Sequence, residues 1–262
     1  MDVKQFFPNK RKWSLSMRII PILLGIVVTK IFFHLFGLEY ISLSALFTSL
    51  IAATTFLLGF LISGVIADYK ESEKIPGDMA TSLEAIYDEV YILDKNRGNE
   101  RTKEFLIFYN TFLYSLRDWF LKQERTKHIL EKLHAMDDYF ADFESIIQPN
   151  FLTRIKNEQS LIRKMVIRVN NIRDISFIES AYAIAEFLVF FVIVGLLVLK
   201  MDPFYEGLFF TTLVSFLVVY MVLLIKDLDD PFDYSGTRKG NSEVSIKPMQ
   251  DLIERIGIKK EK

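Results

Sequence analysis

The fold is decided by residues 42–67, which read SLSALFTSLIAATTFLLGFLISGVIA and contain no charged side chain. An α-helix rises about 1.5 Å per residue and the hydrocarbon core of a bilayer is about 30 Å thick, so roughly 20 apolar residues are enough to cross it. This stretch exceeds that length, and it therefore predicts a membrane-spanning helix.

Three further blocks have the same character. Residues 208–225 are free of charge, residues 181–199 carry one glutamate, and residues 19–38 carry only Lys30 and His34. The composition agrees, because 51% of the chain is hydrophobic and yet 25% is charged, which requires the two classes to be segregated. We therefore expect an all-α membrane protein with four transmembrane helices.

The connections between the blocks predict two hairpins around a helical domain. Short loops at residues 37–41 and 200–206 close the hairpins, and a long polar segment separates them. We divide the chain into an N-terminal segment (1–18), a first transmembrane hairpin (19–67), a helical domain (68–180), a second transmembrane hairpin (181–225) and a C-terminal tail (226–262).

The distribution of basic residues predicts the orientation. The two short loops contain one basic residue, Lys200, whereas the other side of the spans carries many: Lys4, Lys10, Arg11, Lys12, Arg18, Lys70, Lys74 and Lys226. Because basic residues are enriched in cytoplasmic loops, we expect the helical domain and both termini on the cytoplasmic side of a prokaryotic inner membrane.

The helical domain shows apolar residues at three-and-four spacing, which is typical of helix faces. One helix is predicted over residues 79–93, a turn at 96–99, another helix over 127–147 and a long helix from 151 into the third span. An aromatic stripe between these helices contains Phe105, Phe108, Tyr109, Phe112, Leu113, Leu116, Trp119 and Phe120. We interpret it as packing rather than a ligand-binding site. Residues 245–256 form a short terminal helix or lie along a neighbouring subunit.

Several classes of function are disfavoured by what the sequence lacks. There is no cysteine, and the three histidines are His34, His128 and His134, which disfavours thiolate and multi-histidine metal centres. A net charge of −1 gives no basic excess for nucleic acid. No phosphate loop, zinc-protease or nucleophile-elbow motif is present. We expect neither an enzyme nor a cofactor.

Ionisable residues inside the predicted spans are functional candidates because they are costly there. Lys30 and His34 are four residues apart and share a helix face, so they face either a pore or a partner. The alternative is that Lys30 snorkels and His34 lies at the interface. Glu179 and Glu186 are closer to the cytoplasmic end, where we expect water or a salt bridge with Lys70 or Lys74.

The second span carries the main functional signal. Ala52, Phe56 and Phe60 are spaced by four residues and share one face, which Gly64 continues. In a symmetric ring of such helices this face would form stacked rings that narrow and dewet a pore, and the positive edges of phenyl rings would favour anions. The spacing alone fits lipid or helix packing better.

Two segments resemble the bestrophins. Residues 56–78, FLLGFLISGVIADYKESEKIPGD, are similar to the second membrane helix of that family and the turn after it. Residues 229–232, DDPF, resemble the segment after its last membrane helix. The amino-acid sequence of the first segment is typical of the bacterial and archaeal bestrophin-like group.

The resemblance implies a homo-oligomeric, pentameric ion channel whose second helix lines the pore. The hydrophobic neck of the family would fall on Ala52, Phe56 and Phe60, with Ala52 replacing a larger aliphatic residue. Conduction would be passive, anions would be slightly favoured by Lys30 and His34 at the outer mouth, and the partners would be other copies, lipid and inorganic ions.

The sequence departs from the family at the acidic run that follows its Pro-Phe pair, which is missing here, so calcium control is not expected. Asp227, Asp229 and Asp230 precede that pair instead. They form a weak candidate for a cation site, because such a site needs several converging oxygens, and we favour helix capping and solvation.

The main alternative is a non-conducting membrane scaffold or sensor whose helical domain binds a partner. A secondary transporter ranks lower because that class shows repeats and broken helices at mid-membrane, for which Gly59 and Gly64 are slight evidence. A membrane-embedded enzyme ranks last, since no set of catalytic groups converges in or beside the spans.

Overall fold

The computed structural model describes residues 14–174, 179–229, 231–234 and 243–260. The described chain is almost entirely helical. In chain order its elements are α1 (Ser14–Leu35), β1 (Ile41–Ser42), α2 (Ala45–Arg97), α3 (Glu100–Phe120), α4 (Thr126–Phe143), α5 (Pro149–Asp174), α6 (Glu179–Val198), β2 (Leu199–Lys200), α7 (Phe204–Leu228) and α8 (Lys247–Lys260).

The four predicted membrane spans are confirmed. Helices long and apolar enough to cross a bilayer occupy Leu15–Leu35, Ala45–Arg97, Ala181–Val198 and Phe204–Leu228. Each apolar block of the sequence therefore folds as a helix, and the expected all-α membrane fold is correct. Within the described residues, the four helices fall in the order that the hairpin prediction requires.

The chain divides into two compact units. The first holds α1, α2 as far as Tyr69, α6 and α7, and the second holds α2 from Lys70, α3, α4, α5, residues 231–234 and α8. In the first unit, α1 packs against α6 and α7, and α6 packs against α7. Its buried apolar residues come from all four helices: Ile19, Leu58, Leu61, Val65, Ala185, Val189, Val218, Val219 and Ile225.

A close contact in the first unit requires a glycine. A methyl group added at Gly195 of α6 would lie 2.3 Å from Cε2 of Phe47 in α2. The absent side chain therefore makes room for the phenyl ring where the two helices meet. Small residues at helix contacts are the usual means of close packing between membrane helices.

A short parallel pairing joins the two hairpin loops and was not predicted. Ile41 pairs with Leu199 and Ser42 with Lys200, and the Tyr40 amide donates to the carbonyl of Val198 at 3.0 Å. Two residues are too few to produce the alternating pattern by which strands are found in a sequence. The loops after α1 and α6 are thus tied through backbone hydrogen bonds.

The helix predicted over residues 79–93 is confirmed, but it continues the second span directly, without the turn that the resemblance implied at the end of residues 56–78. Helix α2 runs without interruption from Ala45 to Arg97 and contains Pro76. A proline inside a helix costs about 3 kcal/mol, because it removes a hydrogen bond and clashes with the preceding turn. Here, residues on both sides of Pro76 are buried along one face, and this packing outweighs that cost: Ser72, Ile75, Met79, Leu83, Ile86 and Val90.

In the second unit, each of four helices contacts the next one in sequence, and the last contacts the first. The Tyr109 hydroxyl of α3 donates to the Leu83 carbonyl of α2 at 2.9 Å, and α4 packs against both α3 and α5. The order closes where Arg154 of α5 meets Glu89 of α2 at 2.7 Å. Helices α2, α3, α4 and α5 are therefore neighbours in sequence order, as in an up-and-down four-helix bundle.

The aromatic stripe lies in the core of this bundle. The Phe105 ring is fully buried and touches rings of both α3 and α4: Phe108, Tyr109, Tyr139, Phe140 and Phe143. The packing interpretation of the stripe agrees with this placement. Helix α5 starts at Pro149, a residue well suited to a first helical position. Residues 175–178 lie outside the described residues, so one continuous helix into the third span stays a prediction.

The segment after α7 returns to the second unit. Phe232 is buried beside Phe120, with 6.1 Å between ring centroids, and the Arg173 guanidinium lies over both Phe232 and Trp119. Arg173 also donates to the Trp119 and Phe120 carbonyls that end α3. The predicted terminal helix is confirmed as α8, which packs against α3.

Candidate pore-lining face and buried ion pair

Helix α2 presents two different faces within the first unit. Its inner face is buried, with Thr54, Leu58, Leu61 and Val65 in the core. The candidate neck residues lie on the outer face, where Ala52 is exposed and the exposed fraction is 78% for Phe56 and 68% for Phe60. Gly64 is half-buried at the edge of this face.

The predicted neck residues therefore lie on one strip of surface. Since Phe56 and Phe60 are four apart on a regular helix, their rings follow each other along its axis. Between them and beside them lie small side chains, Gly59 and Ser63, both exposed. None of the residues that the structure describes covers this strip. We therefore expect its contacts to come from lipid, from other copies or from a water-filled pore.

The hydroxyl groups of α2 bond within the helix. Thr48 and Ser49 are exposed near its start and donate to the carbonyls of Ser44 and Ala45 at 3.1 and 2.8 Å. Thr54 and Thr55 do the same nearly two turns further on, donating to the carbonyls of Leu50 and Ile51. No charged side chain lies on α2 before Asp68, so within the span this helix offers ions only hydroxyl oxygens and aromatic rings.

Lys30 is buried in the first unit, with an exposed fraction of 1%. Its ammonium lies 2.7 Å from Oε1 of Glu39, and it donates to the Leu197 carbonyl at 3.3 Å and to the Leu199 carbonyl. The charge of Lys30 is therefore balanced within the chain. Its three partners are Glu39 in the loop after α1, Leu197 at the end of α6 and Leu199 in β2, so the ammonium group joins these segments.

His34 lies at the edge of the same cluster and is partly exposed. Its Nδ1 is 3.0 Å from Oε2 of Glu39, and its ring stacks on Phe204 at the start of α7, with 3.9 Å between centroids. The shared helix face predicted for Lys30 and His34 thus converges on one carboxylate. Glu39 pairs with both residues and is only 6% exposed.

Glu39 is the member of this cluster that sequence reasoning missed. A signal for it was present, because a lysine inside a span needs a counter-ion and Glu39 is the one carboxylate in the short loop that follows. The backbone carbonyls of Leu197 and Leu199 carried no such signal, since they are brought close only by the folded arrangement of α1 and α6.

The environment of Glu39 predicts a pH dependence of stability. Burial of the carboxyl opposes ionisation, but hydrogen bonds from His34 and Lys30 and the charge of both outweigh it, and the pKa of Glu39 is lowered from the ordinary 4.5. A pKa that is lower in the folded than in the unfolded chain contributes stability above the unfolded value. This stability is lost as the pH falls through the folded value.

We therefore expect the difference in thermal unfolding midpoint between the wild-type protein and Glu39→Gln to shrink as the pH is lowered from 7 to 3. Circular dichroism in detergent would measure both midpoints, and subtraction removes groups common to the two proteins. A difference that stays constant over this range would contradict the role of the ionised carboxyl.

The glutamate of the third span has a partner that was not predicted. Glu186 of α6 pairs with Lys226 of α7, whereas Lys70 or Lys74 was expected. The reason is that α6 and α7 pack together along the hairpin. The side chain of Glu179 lies outside the described residues, so its expected salt bridge stays a prediction.

The candidate cation site receives no support from the described residues. Asp229 ends α7 and lies beside the Tyr182 hydroxyl of α6, while Asp230 lies outside the described part of the chain. Among the residues described, no group of three or more His, Cys, Asp or Glu side chains comes together as a metal site would require. The site at Asp227, Asp229 and Asp230 stays a prediction.

The described architecture matches solved membrane-protein structures. No protein-family model and no curated protein matches the chain. A bacterial bestrophin homologue from Klebsiella pneumoniae superimposes with a TM-score of 0.71 at 16% identity, over 92% of this chain and 97% of the homologue. Two point-mutated forms of that homologue give TM-scores of 0.73 and 0.71 at 15% and 17% identity, each over 92% of this chain and 98% of theirs. The family resemblance seen in residues 56–78 and 229–232 is thus confirmed at the level of the fold: the chain has the fold of bacterial bestrophin homologues.

Proposed function

We propose that this protein is one subunit of a homo-oligomeric, pentameric ion channel. The observation that carries the proposal is the uncovered strip on α2, where Phe56 and Phe60 are the most exposed aromatic side chains of that helix. The fold shared with bestrophin homologues supports it, since the resemblance to that family implies that the second helix of each subunit lines a central pore.

The composition of the strip favours a pore or a helix contact over lipid. The exposed faces of α6 and α7 are lined by large side chains, as lipid contact requires: Ile184, Phe187, Phe190, Phe191, Phe209, Phe210, Leu213, Phe216 and Leu217. The strip on α2 instead alternates its two phenylalanines with Ala52, Gly59 and Ser63. Small residues let neighbouring backbones approach closely, which a ring of α2 helices around a narrow pore demands.

Conduction would be passive and limited by the neck at Phe56 and Phe60, with Ala52 and Gly64 above and below it. A ring of phenyl groups narrows the path and expels water, so ions pass only when the neck is wetted. The positive edges of the rings slightly favour anions. Lys30 adds nothing to this preference, because Glu39 balances its charge at 2.7 Å. We place the second unit and both termini in the cytoplasm of a prokaryotic inner membrane.

The test is ion flux from proteoliposomes that hold the purified protein. We expect Phe56→Ala combined with Phe60→Ala to raise basal flux severalfold, because a wider and less apolar constriction stays wetted. Phe187→Ala combined with Phe191→Ala is the matched control, since these residues are also exposed and four apart but lie on α6. This control should leave flux unchanged, and chloride and sodium gradients would give the sign of the ion.

Each other outcome has a distinct meaning. Equal increases from both double variants would indicate general leakiness and remove Phe56 and Phe60 from the neck. Silence from all proteins, with reconstitution confirmed, would contradict conduction and favour a membrane scaffold or sensor that binds a partner through the second unit.

A further inference from the structure

Two opposite sides of the second unit expose large apolar side chains, whereas the side between them exposes polar ones. Because α2, α3, α4 and α5 are neighbours in a closed order, α3 and α5 lie across the bundle from each other. Helix α4, which is described throughout, exposes only polar or small residues on its outer face: Lys127, Glu131, His134, Asp138, Ala141 and Asp142. This composition is that of a face in water.

The outer faces of α3 and α5 each expose large apolar side chains instead. On α3, Ile107 and Tyr114 are exposed two turns apart, with the exposed Thr111 between them. On α5, Leu161 and Ile167 are exposed on either side of Lys164. We call these the α3 side and the α5 side. Paired apolar residues on two sides and none on the face between them indicate that both sides are covered by protein.

The two sides differ in charge. The α5 side carries the exposed lysines Lys156 and Lys164, which are in no ion pair among the described residues. The α3 side carries both signs, because the partly exposed carboxylates of Glu104 and Asp118 pair with arginines of their own helix at 2.7 and 2.8 Å. Exposed ion pairs contribute only about 0–1 kcal/mol, so these carboxylates remain able to accept a lysine from a second copy. Opposite charges around apolar contacts fix the partner and its register more than they add affinity.

We infer that the α3 side of one copy packs against the α5 side of the next copy. The inference rests on the proposed homo-oligomer, in which every subunit has two neighbours and therefore needs two different, complementary surfaces. It also fits the helix directions. Helices α3 and α5 are separated by one antiparallel helix and run the same way, and in a ring all copies point the same way along the axis.

Cysteine cross-linking tests this contact directly, because the chain has no cysteine of its own. Thr111 and Ser160 are exposed and lie near the middle of α3 and α5, so their replacement by cysteine changes little volume and no core contact. We expect the protein with both Thr111→Cys and Ser160→Cys, treated in detergent with a flexible bismaleimide, to give a ladder of covalent oligomers that ends at the full ring.

Three controls define the result. Thr111→Cys alone and Ser160→Cys alone should give no ladder, because each contact needs one cysteine from each side. Thr111→Cys with Ala141→Cys, which places the second cysteine on the outer face of α4, should also give none. Circular dichroism of every variant checks that the helices are intact.

The remaining outcomes overturn the inference in distinguishable ways. Dimers from either single variant would show a symmetric contact in place of this one. An oligomer by native mass spectrometry that gives no ladder would place the contact elsewhere and leave the proposed channel standing. A monomer by the same measurement would remove both the contact and the channel.

Discussion

Replacing Glu39 by alanine should destabilise the first unit by about 3–5 kcal/mol, because removal of one member of a buried ion pair leaves the other charge uncompensated. The remaining charge is the ammonium of Lys30, which is 1% exposed and lies inside a membrane span. The carbonyls of Leu197 and Leu199 still accept its hydrogen bonds, but they carry no net charge to replace that of Glu39.

Adding Lys30→Met to Glu39→Ala should restore most of the lost stability. Lys30→Met removes the ammonium and keeps an unbranched apolar side chain of similar length, so the double variant Lys30→Met, Glu39→Ala contains no buried charge. Replacement of a buried pair by apolar groups is often neutral or stabilising. We therefore expect the double variant to be more stable than Glu39→Ala alone, which is the signature of direct coupling between the two sites.

Thermal unfolding in detergent, followed by circular dichroism, measures all members of this cycle. Lys200→Met is the matched control, since Lys200 is exposed at the same end of the unit and its loss should change stability by less than about 0.5 kcal/mol. Additive effects of Lys30→Met and Glu39→Ala would contradict a direct pair and would leave the burial of Lys30 without a physical explanation.

The elements of this fold were predictable where their signal is local. An uncharged run such as residues 42–67 indicates a helix in a bilayer, because a helix satisfies all its backbone hydrogen bonds within one segment and the run is much longer than the roughly 9–11 residues of a barrel strand. The apolar spacing of α3 similarly predicted its buried face. The turn that the resemblance implied at the end of residues 56–78 did not form. The cost of Pro76 in a helix is local, whereas the burial that outweighs it comes from packing of α2 against other helices of the second unit. The pairing of β1 with β2 had no sequence signal at all.

The candidate site was only partly predictable, because some of its contacts form only in the folded chain and leave no local signal in the sequence. Lys30 and His34 were found because an ionisable residue in a span is conspicuous, yet their common partner depends on how the following loop folds back. The neck residues remain a prediction, because Phe56 and Phe60 point away from their own chain. What they contact depends on what surrounds the chain, which in the proposed channel is other copies, and a single folded chain does not contain that information.

Truncation of a side chain in the core of the second unit should lower stability as much as breaking the buried ion pair. Phe105→Ala should cost about 3–5 kcal/mol, the usual range for truncation of a buried aromatic residue. The Phe105 ring is fully buried among five other rings, the nearest being Tyr109 with 5.3 Å between centroids. Neighbouring rings anchored on two different helices, α3 and α4, cannot all move inward to fill the vacated volume, so a cavity remains.

The same substitution decides between packing and a ligand-binding role for the aromatic stripe. A residue that lines a ligand box faces an open space, and its truncation would lower stability little. Phe151→Ala is the matched control, because Phe151 is exposed in the same unit and should change stability by less than about 0.5 kcal/mol. Chemical denaturation would compare the two variants. Equal, small losses from both would mean that the stripe encloses a space, whereas a large loss from Phe105→Ala alone would show that these rings hold the bundle together.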